Sequence, residues 1–165
     1  MRKLLAMLLA ALMLLGCAAA EGVDKAEAYA AAVALYEDKE YEQAAAAFEA
    51  LGNYKDSASL LSKSKWYVKE ERYDEGVALY KAGSYLDAKA LFEELGSFEE
   101  SKKYVTKCQT AYEAATYEQA NNLFSAGELT AARELFSLLG DYKKSESMIA
   151  EIDAFFAAVD EFNAR

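Results

Sequence analysis

The sequence predicts an all-α fold, a helical-hairpin repeat array of three 44-residue units closed by a C-terminal capping helix. Three observations predict it. The chain has no Pro and is rich in Ala, Leu, Glu and Lys, residues that lose little side-chain freedom in a helix. The β-branched residues that a pleated sheet needs in alternation are scarce. Finally, the chain repeats itself: Tyr36-to-Ser57, Tyr80-to-Ser101 and Phe124-to-Ser145 align without a gap at a spacing of 44.

The first element is a leader. Arg2 and Lys3 precede the 12-residue apolar run Leu4–Leu15, and small residues follow it. A basic start, a short apolar core and a small-residue end form an export signal. The run is too short to span hydrocarbon, which takes about 20 residues. Leu14-Leu15-Gly16-Cys17 resembles the bacterial lipobox, in which the Cys thiol receives diacylglycerol before cleavage on its N-terminal side. That resemblance implies a signal peptide over 1–16, lipidation at Cys17, a tether over 17–23 and a helical domain over 24–165. Two acyl chains anchor stably where one holds only marginally. Export with cleavage after Ala18 or Ala20 and no lipid is the alternative.

Next come the repeated units. Tyr41/Tyr85/Leu129, Ala44/Ala88/Ala132, Phe48/Phe92/Phe136 and Leu51/Leu95/Leu139 recur at i, i+3, i+7 and i+10. That is one apolar stripe on a helix of about three turns. Gly52, Gly96 and Gly140 follow, suited to a left-handed C-terminal cap. Asn53, Ser97 and Asp141 are then N-cap residues, with Asp56 and Glu100 completing approximate capping boxes. On this reading a second helix starts at Tyr54, Phe98 and Tyr142 and runs toward Ala82 and Ala126, about 40 Å long. The charged stretch Lys69-Glu-Glu-Arg72 leaves a kink or a third helix open. Gly83 and Gly127 end the long helix, and Ser84 with Asp87 caps the next short one.

Positions that match between units are packing positions; those that do not match are candidate contacts. Cys108 aligns with Ser64 and Ile152, so it reads as a small packing residue rather than a redox centre. With Cys17 lipidated it is the sole remaining thiol, which leaves no intramolecular disulfide. Trp66 aligns with Thr110 and Ala154, and Tyr112 also falls outside the pattern. Both are candidate partner contacts, although Trp66 filling a local packing gap accounts for it equally. The last segment, Tyr142–Arg165, copies the first half of the long helix and carries Phe155, Phe156, Val159 and Phe162. It is expected to cover the exposed face of the last unit, as terminal caps do.

The run Gly83-x-Tyr85-x-x-Ala88-x-x-x-Phe92-x-x-Leu95 resembles the tetratricopeptide repeat. Ala32, Gly76 and Ala120 match that family's small residue on the first helix, and Leu35, Leu79 and Leu123 its next packing position. The family period is about 34 residues, and this one is ten longer. The family's closing Pro is replaced by Leu-Gly-x-Tyr/Phe-x-x-Ser, similar to helical repeats of bacterial envelope proteins. The resemblance implies an α-solenoid that binds proteins, and it brings no catalytic residue.

Charge and composition bound the rest. Arg2 and Lys3 are two of 18 basic residues, so the chain from Cys17 onward carries 28 acids against 16 bases, a net −12. Such a field repels nucleic acid and anionic lipid. The absence of His removes the commonest general base and metal ligand. Carboxylate pairs such as Glu93-Glu94 sit on adjacent helical positions, pointing about 100° apart, and do not converge on one site. No enzyme activity, cofactor, metal or small-molecule substrate is therefore expected. The expected partners are an unidentified protein and, through the N-terminal lipid, the extracytoplasmic side of a bacterial membrane. A structural or self-assembling subunit of an envelope complex is the alternative function.

Overall fold

A computed structural model describes residues 24–165 and is all-helical there, with seven helices and no strand among the described residues. They are α1 (Lys25–Glu37), α2 (Tyr41–Leu51), α3 (Ser57–Lys81), α4 (Tyr85–Leu95), α5 (Ser101–Ser125), α6 (Leu129–Leu139) and α7 (Ser145–Asn163). The chain divides into two compact units, one ending at Asp74 and the other covering Glu75–Arg165. In the first, α1 packs on α2; in the second, α4 packs on α5, α5 on α6 and α6 on α7.

Each short helix buries the residues its periodicity selects. Ala44 and Phe48 of α2, Ala88 and Phe92 of α4, and Ala132 and Phe136 of α6 are all fully buried. The longer helices supply the facing residues. Ala32 and Leu35 of α1 close on Phe48, while Ala120 of α5 and Ile152 of α7 close on Phe136. Burying a Phe side chain is worth about 1.5–3 kcal/mol, so these rings dominate the local packing.

Two joints recur with the same hydrogen bonds. At the end of α1, Glu40 N–H donates to Leu35 O (2.9 Å) and Lys39 N–H to Tyr36 O (3.1 Å). Ser84 to Leu79 with Gly83 to Tyr80, and Glu128 to Leu123 with Gly127 to Phe124, repeat that pattern after α3 and α5. This is the Schellman motif, which needs a left-handed residue just beyond the helix. Gly83 (φ 85°) and Gly127 (φ 82°) supply it freely, whereas in the first joint Lys39 is held at φ 64°.

The second joint corrects the sequence reading. The helices after Gly52, Gly96 and Gly140 begin at Ser57, Ser101 and Ser145, three residues later than Tyr54, Phe98 and Tyr142. Gly52, Gly96 and Gly140 have φ 56° to 62° with ψ −106° to −123°. That is not the left-handed helical cap expected of them, but the first central position of a type II′ turn, open to Gly almost alone. Tyr54, Phe98 and Tyr142 close the turn by donating to Leu51, Leu95 and Leu139 O at 3.1 to 3.2 Å. A second left-handed residue follows at Lys55, Glu99 and Lys143. The helix's first acceptors are then Asp56, Glu100 and Lys144 O, so Asn53, Ser97 and Asp141 are not its caps. Nor does Ser84 cap α4 through its side chain. The stretch Lys69–Arg72 lies inside α3, which is one continuous 25-residue helix, as is α5.

Candidate functional site

Trp66 sits on α3 with 45% of its surface exposed. Its indole meets the Tyr67 ring edge-on, with centroids 5.2 Å apart. Tyr67 in turn stacks on Tyr41 of α2 (4.5 Å, 15° between planes), and Tyr36 of α1 sets its edge against both, at 5.6 and 6.1 Å. Three helices thus converge on one aromatic cluster, with Trp66 at its edge. Offset and edge-on ring pairs of this kind add about 0.5–1.5 kcal/mol beyond their area. Desolvation by the neighbouring rings, then the other tyrosines, raises the Tyr36 and Tyr41 phenols above their ordinary value. These hydroxyls stay neutral donors at physiological pH.

Tyr112, the other contact candidate, is half-buried on α5. It lies in the second unit, whereas Trp66 lies in the first. Cys108 is fully buried on α5, as are Ser64 and Ile152 at the matching positions of α3 and α7. Burial pushes the Cys108 thiol up, with Lys89 opposing it, so the side chain packs as a small apolar group. Cys17 lies outside the described residues. No described helix is long and apolar enough to cross a membrane. No group of three or more His, Cys, Asp or Glu among the described residues could hold a metal ion.

The connectors carry cation–aromatic contacts that the sequence reading did not single out. Lys55 Nζ stands 4.5 Å from the Tyr29 ring and 5.3 Å from Tyr54. Lys143 repeats this over Tyr117 (4.8 Å) and Tyr142 (5.0 Å). The Tyr29 hydroxyl also donates to Asp56 Oδ1, a bond that raises the phenol's pKa. The signal was available: Lys55 and Lys143 stand 88 residues apart, two full periods. These contacts tie the left-handed connector residues Lys55 and Lys143 back to α1 and α5 and are worth about 0.5–1 kcal/mol apiece at exposed sites.

The terminal helix packs on α6 and leaves part of its own apolar surface exposed. Met148, Ile149, Ile152 and Phe156 do pack on the α6 core. Phe155, Val159 and Phe162, however, are 53%, 40% and 78% exposed. They follow i, i+4 and i+7 and continue the stripe of Met148 and Ile152 toward the C-terminal end of the helix. Arg133 of α6 holds α7 from the side, with Nε and Nη2 at 2.5 and 3.0 Å from the two Asp153 carboxylate oxygens.

No protein-family model, curated protein or solved structure matches this chain.

Proposed function

We propose that this chain is a lipid-anchored, extracytoplasmic protein-binding scaffold built from three tetratricopeptide-like helix pairs and a closing helix. The observation that carries the reading is Trp66, a large aromatic whose own helix pair leaves it 45% exposed at the edge of a rigid ring cluster. Exposed Trp and Tyr on pre-organised supports are the residues that dominate protein interfaces, because little side-chain freedom is lost on binding. The short helices Tyr41–Leu51, Tyr85–Leu95 and Leu129–Leu139 stand 44 residues apart with matching burial, which supports a repeat array resembling tetratricopeptide units. The lipobox-like Leu14-Leu15-Gly16-Cys17 supports the anchor.

Two experiments test it. Cys17→Ala should move the protein from the membrane fraction to the soluble fraction; retention in the membrane contradicts the anchor. Affinity capture from cross-linked cells should recover a specific protein with the wild-type chain and at least about tenfold less with Trp66→Ala. Equal recovery contradicts a role for Trp66 in binding.

A further inference from the structure

The charge around Trp66 runs against that of the chain. The whole protein has a net charge of −10. From Ser57 to Lys69, however, α3 carries Lys63, Lys65 and Lys69 and no carboxylate. Lys63 and Lys69 stand three positions before and after Trp66. They therefore lie about 60° to either side of it and about 9 Å apart along the helix axis. Both are exposed, and neither makes a hydrogen bond or ion pair among the described residues.

The other charges nearby are engaged. Lys65 Nζ is 2.8 Å from Glu49 Oε1, and Arg72 Nη2 is 3.8 Å from Glu42 Oε1. Glu70 lies one turn beyond Trp66 on the Tyr67 side of the helix. There, behind desolvation, Tyr67 and Glu71, its charge helps to raise the Tyr41 phenol. At the same register in α5, Thr110 replaces the indole. Lys107 lies 4.4 Å over the Tyr104 ring, and Glu113 accepts from Gln109 Nε2 at 2.7 Å. In α7 the three positions are Glu151, Ala154 and Ala157. The pairing of an exposed aromatic with two unengaged ammonium groups thus belongs to α3 and is not inherited from the repeat.

Screening decides which charges a ligand meets here. At physiological ionic strength the Debye length is about 8 Å, so the ammonium groups beside Trp66 outweigh distant carboxylates. The two lysines give up no internal ion pair on binding, and the indole supplies the apolar contact. An acidic ligand is repelled by the rest of the surface, which fixes where it lands.

We infer that the face formed by Lys63, Trp66 and Lys69 docks an acidic segment of a partner protein, in which carboxylates flank an apolar side chain laid on the indole. The inference rests on the scaffold reading and gives it a partner class. An anionic lipid surface is the poorer occupant. It would set the chain's many carboxylates against its headgroups, whereas a peptide meets the lysines alone.

The test uses the purified full chain and a labelled peptide of Glu and Asp around a central Leu-Phe pair, read by fluorescence anisotropy. The same peptide with Lys at every acidic position is the comparison. The acidic peptide should bind, and the basic one should not. Affinity should fall at least about fivefold in Lys63→Gln/Lys69→Gln and in Trp66→Ala, and rise about twofold in Glu70→Gln. Lys102→Gln/Lys144→Gln removes the same charge from exposed positions in the second unit and should leave affinity unchanged. Circular dichroism of each variant checks that the helices persist. No binding of the acidic peptide, equal binding of the basic one, or equal losses in the two lysine variants overturns the inference. Retention on phosphatidylglycerol vesicles that Lys63→Gln/Lys69→Gln abolishes, without peptide binding, reassigns the face to a membrane surface. A dimer by light scattering that the same variant abolishes reassigns it to a second copy. The scaffold reading is decided separately: capture through Trp66 in cells, with no binding of the acidic peptide, leaves a scaffold whose partner is not acidic.

Discussion

Gly76 of α3 abuts the far edge of the Phe92 ring: a Cβ at position 76 would stand 2.8 Å from Cζ and 3.0 Å from Cε1. Phe92 is fully buried and stacked on Tyr104 at 4.6 Å, so the ring has little room to withdraw. Gly76→Ala therefore sets two effects against each other. Helix propensity favours Ala by about 1 kcal/mol, while overpacking costs about 1–3 kcal/mol. The expected outcome is a net loss of about 1 kcal/mol in urea unfolding. A stabilised variant would show that Phe92 can shift freely.

Lys39 and Gly83 occupy the same place in the same Schellman motif, and only the glycine is at ease there. Lys39→Gly should raise stability by about 0.5–1 kcal/mol by removing left-handed strain. Gly96→Ala should act in the opposite direction, costing about 1–3 kcal/mol, because its type II′ conformation excludes a Cβ. Thermal melts of the two variants check both signs. If both shift the same way, the backbone account is wrong.

These joints also show how far the sequence could be read. Apolar spacing located the short helices, since Ala44, Phe48 and Leu51 can share a face only on a helix. It misplaced the next helix start by three residues, because Asn53, Ser97 and Asp141 look like N-caps. A cap preference is a local side-chain property, whereas the actual start depends on two positive-φ residues three positions apart, Gly52 and Lys55. Nothing in the residue type Lys or Glu announces a positive φ. Trp66 stood out because it broke the repeat, but the cluster formed by Tyr36, Tyr41 and Tyr67 depends on three helices meeting. The exposure of the α7 stripe was missed because Phe155 and Phe156 look alike in sequence. Only packing against α6 separates the half-buried ring from the exposed one.

Ser145 and Ser101 begin their helices from equivalent, fully buried positions with different hydrogen bonding. Ser145 Oγ donates to Tyr142 O at 2.7 Å, whereas Ser101 Oγ, like Ser57 Oγ, has no partner among the described residues. Ser145→Ala should cost about 1 kcal/mol, and Ser101→Ala should be neutral or stabilising. Equal losses in chemical denaturation would mean that the two hydroxyls are bonded alike.

The Arg133–Asp153 pair predicts an acid dependence. Hydrogen bonding and charge from Arg133 hold the Asp153 carboxyl below its ordinary range. A group with a depressed folded pKa adds stability above its unfolded value, about 4, and loses it as pH falls through the lower folded value. The gap in melting temperature between wild type and Asp153→Asn should be present at neutral pH and close in strong acid. A gap of the same size at both would remove the ion pair as its cause.

The central claim, that an exposed aromatic edge on a helical scaffold receives a protein, is tested most directly by a photo-cross-linking residue at position 66 of the full chain in its native cells. The account predicts a discrete adduct with a second protein from position 66, and none from Ser62, an exposed position one turn earlier on α3. No adduct at 66, or the same adducts from both positions, would contradict it.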